Sequence, residues 1–144
     1  MKRTFALLSL MLLLVSPVFA QKSKKGFEYS GTKARYSLIG KSKMLSEGVK
    51  PLDFQIFWDK KKNVVTVNAG PKEKWYTIAI AKKDTIFGQE VHIGTHSDAK
   101  KDKTPENQDK YRCEVKFLID RVSIKIGEGK LEEYLLEGAK VWGE

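Results

Sequence analysis

The chain has 144 residues, with 27 Lys and Arg against 18 Asp and Glu, a formal charge of +9. That length fits one domain of ordinary size and is too short for two. A single cysteine, Cys113, excludes a disulfide-stapled miniprotein and a Cys-rich zinc finger.

The N-terminus reads as a targeting segment. Met1, Lys2 and Arg3 make a short basic start, and residues 5–15 form an apolar run broken only by Ser9. Ser16-Pro17-Val18-Phe19-Ala20 follows, with branched Val18 and small Ala20 at the positions a signal peptidase reads. The run is about half the roughly 20 residues that a spanning helix needs. The pattern therefore predicts a signal peptide over 1–20, cut after Ala20, and a soluble protein that does not span the membrane. It places the protein in the periplasm or secreted. Losing Lys2 and Arg3 leaves a charge of +7. Residues 21–25 (QKSKK) are predicted as a flexible basic arm, and 26–144 as a single β domain.

From there the pattern is one of short strands. Residues 27–29 and 34–39 are aromatic and β-branched, with Gly31 between them. Residues 41–51 read as a connection with one helical turn near Met44 and Leu45. Leu52, Phe54, Ile56 and Trp58 alternate with Asp53, Gln55 and Phe57, the period of a strand. Residues 59–63 form a hairpin loop in which Asn63 can take a positive φ. Val64 to Val67 returns, and Asn68-Ala69-Gly70-Pro71 turns the chain again. Tyr76, Ile78 and Ile80 share a face, Lys82-Lys83-Asp84 reads as a turn, and 85–95 reads as an extended segment bent at Gly88.

Residues 97–110 (SDAKKDKTPENQDK) hold one apolar side chain, Ala99, and are predicted as a mobile polar loop. Tyr111, Cys113, Val115, Phe117 and Ile119 then face one way. Asp120-Arg121 turns into Val122, Ile124 and Ile126, and 127–130 turns again. The last segment is open between two forms. Leu131, Tyr134, Leu135 and Trp142 fit one helical face, whereas Gly138 and the preceding turn favour a final strand.

The fold class is thus mainly β. About eight strands joined by short turns pair antiparallel and close into a small barrel or stack as a β-sandwich. An up-and-down barrel is the first architecture, lipocalin-like by analogy only. The Gly-x-Trp signature of that family is absent from the early strands.

No catalytic set emerges. His92 and His96 are the weak metal candidates, with Glu90 on the same strand face. Four residues of strand separate two side chains by about 13 Å, far beyond a shared zinc coordination sphere. Cys113 sits on an apolar strand face, where a thiol is inert. No Gly-x-Ser-x-Gly elbow or phosphate loop occurs, and Glu132-Glu133 reads as solvated charge. The expectation is a protein without enzymatic activity, metal or cofactor.

Two binding readings remain. Phe54, Trp58, Trp75, Tyr76, Phe117 and Trp142 are mostly core, but a barrel of eight strands can hold one small ligand. For a small apolar or amphipathic ligand the candidate lining is Trp58, Tyr76 and Phe117. Alternatively, hairpins running up and down bring Lys60, Lys61, Lys62, Lys82, Lys83 and Arg121 to one end. That end could dock on an anionic envelope component, such as a glycan or lipid head group, or on a partner protein. The cations beyond residue 20 are 22 Lys and 3 Arg, which argues against a nucleic-acid partner, as does the lack of interleaved stacking aromatics.

Overall fold

The computed structural model describes residues 26–39, 44–70, 74–102, 104, 108–136 and 141–143. The expected signal peptide (1–20) and basic arm (21–25) lie outside these residues.

Nine strands follow in order: β1 (Gly26–Ile39), β2 (Met44–Asp59), β3 (Val64–Ala69), β4 (Lys74–Ile86), β5 (Gln89–His96), β6 (Arg112–Phe117), β7 (Arg121–Ile126), β8 (Lys130–Leu135) and β9 (Val141–Trp142). Each of β1 to β7 pairs antiparallel with the next, and β8 returns to β1, so eight strands close a barrel. Sandwich packing is thereby replaced by closure, which removes the free edges of the sheet. β9 lies outside the ring and pairs with Glu28 and Tyr29 of β1. Within the C-terminal segment the described residues include two strands, β8 and β9, and no helix.

Alternation dictates the core. Val65 and Val67 of β3, Ile78 of β4, Cys113 and Val115 of β6, and Val122 and Ile124 of β7 are fully buried in one cluster with Ile56 and Phe54. These side chains fill the waist of the barrel and set the depth of anything bound at either mouth.

Three local expectations change. β1 is one strand, with a register shift after Gly31 rather than a break. A Cβ at Gly31 would stand 2.7 Å from the Phe54 ring, so only glycine lets that ring lie against β1. The described part of the 41–51 connection, from Met44 onward, is the start of β2 rather than a helical turn. Lys82-Lys83-Asp84 does not turn the chain. A bulge between Ile80 and Lys82 lets β4 run on to Ile86, and the reversal occurs at Phe87-Gly88. Both turn residues have positive φ, 51° and 75°, the geometry that matches hairpin twist.

The two ends of the barrel follow from this topology. The 60–63, 87–88 and 118–120 turns share one end with Gly26; the 97–111 and 127–129 connections share the other. The polar segment 97–110 is not featureless. It carries short 3-10 turns at Ser97–Lys100 and Asp109–Tyr111.

Candidate functional site

The barrel mouth beside the 97–111 connection is polar. On β8, alternation sends Glu132 and Tyr134 into the barrel, where they are 4% and 1% exposed. Tyr76 reaches them from β4. The Glu132 Oε2 accepts hydrogen bonds from the Tyr76 hydroxyl at 2.7 Å and the Tyr134 hydroxyl at 2.8 Å. Lys130 Nζ forms an ion pair with Oε1. A buried carboxylate is tolerable only with such partners. Burial is the strongest influence on Glu132 and opposes ionisation, but Lys130 and the two phenols together hold its carboxyl below the usual range. Burial and the neighbouring carboxylate raise Tyr76 and Tyr134, which therefore stay neutral donors.

His96 completes the wall. Its ring stacks on Tyr76 at 4.6 Å, and its Nδ1 accepts from the Asp98 backbone N–H at 3.1 Å. Burial lowers its pKa, more than the Asp98 charge raises it. A neutral ring that accepts at Nδ1 carries its proton at Nε2. Above this floor lies a cavity of about 700 Å³, walled by Tyr36, Trp75, Tyr76, His96, Ile126 and Tyr134 among others. A second hollow of about 700 Å³ adjoins it toward Asp109 and Tyr111, sharing His96, Asp98, Ile126 and Lys130.

The opposite end is aromatic. Trp58 and Phe117 stack face to face at 4.5 Å with 6° between their planes. His92 sits edge-on to both, at 4.5 and 5.5 Å, and Tyr29 stacks on the Phe117 ring at 5.2 Å. Lys60 Nζ lies 4.2 Å from the Phe27 ring centre and 5.0 Å from Trp58. His92 Nε2 meets Glu90 at 3.0 Å, and Lys83 forms an ion pair with the same carboxylate. Burial lowers the His92 pKa against the pull of Glu90, so the ring is neutral at pH 7. The indole N–H of Trp58 is buried without a hydrogen-bond partner among the described residues.

The residues singled out from sequence divide between these ends. Trp58 and Phe117 touch each other, whereas Tyr76 belongs to the far mouth. Lys60, Lys61 and Lys62 occupy the β2–β3 turn; Lys82 and Lys83 lie within β4, near the same end. Arg121 is engaged by Asp120 at 2.7 Å and Glu133 at 3.6 Å. His92 and His96 point to different ends, and no cluster of three metal-type ligands occurs among the described residues. Cys113 is buried in the core, its thiol pushed up to about 12 by burial.

One reading is overturned. Glu132 is not solvated charge: only Glu133 faces outward, between Arg35 and Arg121. Residues 131–134 admitted helix and strand equally, so the inward face could not be assigned. The available signal was Tyr134 two places after Glu132, which on a strand puts both on one side.

Compared with protein-family models, with curated proteins and with solved structures, the chain matches none significantly. The reading of its function therefore stands on the geometry alone.

Proposed function

We propose that this barrel is a non-enzymatic binding module that takes a small amphipathic ligand in its polar mouth. The observation that carries the reading is the cavity of about 700 Å³ over the Glu132–Tyr76–Tyr134 floor. That volume is typical of small-molecule sites, and the wall sets the aromatic faces of Tyr36, Trp75 and Tyr76 among the charged groups Asp98, Lys101, Lys130 and Glu132. Lys130 already balances Glu132, so the ligand group that meets the floor is uncharged and hydrogen-bonding. Its flat or apolar part lies against Trp75 and Ile126. The filled waist restricts the ligand to the mouth, unlike a deep calyx.

A role without catalysis has physical support. The Cys113 thiol is buried and protonated at neutral pH, and His96 is committed to the Asp98 backbone. Export, which rests on residues 1–20, makes an envelope or extracellular ligand the appropriate class.

Native mass spectrometry of protein purified gently from its exported compartment tests the reading. The expected result is a mass excess that vanishes on denaturation and is missing from Ala69→Phe, which fills the mouth. Polypeptide mass alone, with no uptake from an extract of the same compartment, would overturn it.

A further inference from the structure

The aromatic end carries a second feature that ligand binding does not use. Phe87 and Ile119, at the tips of the β4–β5 and β6–β7 hairpins, are fully solvent-exposed. β5 and β6 are neighbours, with His92 opposite Val115. Extending that register to the turns sets Gly88 level with Ile119. The ladder itself ends at His92–Val115, and both apolar tips lie beyond it at the same end of the barrel. On β9, which pairs at the same end of β1, Val141 and Trp142 are more than half exposed.

Nothing in hairpin chemistry calls for Phe87. Its φ of 51° lies in the left-handed region, where Asn or Gly is the ordinary residue and a bulky ring is disfavoured. The ring makes no compensating burial. Residues held in costly conformations are a mark of functional positions.

The same end of the barrel carries an excess of cations. Across 59–63, 82–90 and 118–121, Lys60, Lys61, Lys62, Lys82, Lys83 and Arg121 outnumber Asp59, Asp84, Glu90 and Asp120. Arg121 and Lys83 are engaged by their neighbours. Lys61 and Lys82 have no ion pair among the described residues, and both are exposed.

We propose that this end docks on an anionic phospholipid bilayer. Phe87 and Ile119 enter the boundary between head groups and acyl chains, and the lysines lie at the phosphate level. The shape favours a bilayer over a protein partner. Single apolar side chains protrude from separate turns, where a protein interface presents a contiguous buried centre. A bilayer accepts such projections wherever they fall, and lysine stems reach its surface. The charge excess complements anionic lipid.

Flotation with lipid vesicles tests this. The protein is used as the cell leaves it, with its N-terminus read by mass so that the apolar segment 5–15 is accounted for. Vesicles of phosphatidylcholine with phosphatidylglycerol should bind it; phosphatidylcholine alone should bind it weakly. Phe87→Ser with Ile119→Ser should lower the partition coefficient about tenfold or more. Lys61→Glu with Lys82→Glu should lower it about tenfold. All four positions are exposed, so unfolding midpoints should stay near the parent's. Equal binding to both vesicle types, or unchanged partition of the Phe87/Ile119 variant, would overturn the proposal. So would retention on a soluble polyanion without vesicle binding, which would assign the lysines to an anionic polymer.

Discussion

The two ends of this barrel are built by the same alternation and bury opposite chemistry. At one, Trp58, Phe117 and Tyr29 stack ring on ring and His92 meets the pair edge-on. At the other, Tyr76, Tyr134 and Glu132 meet through hydrogen bonds and leave a hollow above them. Stacked rings gain from area and dispersion and tolerate small shifts. A carboxylate buried among phenols gains only while every partner stays in place. The aromatic end thus acts as a stability element, and the polar end retains groups that a purely structural mouth would replace with aliphatic side chains.

Truncation at the aromatic end is the most severe way to probe that contrast. Trp58→Ala should cost about 3 kcal/mol of unfolding free energy by removing a stacked, mostly buried indole. Denaturant unfolding would show it as a lower midpoint. Ligand retention at the polar mouth should persist in the folded fraction. If retention disappears with the tryptophan, the ends are coupled and the division between them fails.

Tyr134→Phe should cost less, about 1–2 kcal/mol, by leaving the buried Glu132 short of a donor. It should also change the pH profile. The Glu132 pKa is lowered in the fold, so its contribution is complete above the unfolded value of 4.5 and is lost as pH falls through the folded value. Removing a donor raises the folded value, so acid unfolding should begin at higher pH than in the parent. An unshifted acid limb would mean that Lys130 and Tyr76 sustain the charge without Tyr134.

Histidine titration separates the two ends more gently. His92 and His96 both have pKa values lowered by burial from 6.5. The unfolded chain then binds more protons than the folded one as pH drops through 6.5, so stability declines there and levels off below the folded values. Melting curves between pH 8 and pH 5, in about half-unit steps, should show a decline. His92→Gln and His96→Gln should each remove part of it. A profile flat across that range would place both rings in contact with water.

The strand sequence was legible because alternation is explicit in residues such as 64–67 and 111–117. Closure was legible as a choice between barrel and sandwich, since nothing local distinguishes β8 returning to β1 from β8 ending a second sheet. The charged turn expected at Lys82-Lys83-Asp84 failed for a definite reason. Lysine pairs mark turns only when no bulge intervenes, and the shift after Ile80 lets this pair continue in the strand. Gly88 was visible as a bend, but the reversal was hidden because Phe87 is not a turn residue by type. The polar mouth was hardest to see. Tyr76 was a candidate, yet its partners come from β5 and β8, and only the register Tyr36 opposite Glu132 and Ile124 opposite Glu132 turns the latter inward. The pairing of Trp58 with Phe117 likewise depends on closure, which joins strands that are distant in sequence.

The smallest effect is also the one whose sign matters most. Phe87 occupies a left-handed position that costs most L-residues about 1–2 kcal/mol, and its ring is fully exposed. Phe87→Asn supplies the residue this turn prefers and should raise unfolding free energy by about 0.5 kcal/mol. The same change should weaken binding to phosphatidylglycerol vesicles. A residue that destabilises its own hairpin and whose removal costs only a surface interaction is retained for that interaction. If the denaturant midpoint falls instead, the ring has a structural contact and its exposure is not the reason for its presence. A gain in stability with no loss of vesicle binding would leave Ile119 and the lysines to carry the docking alone.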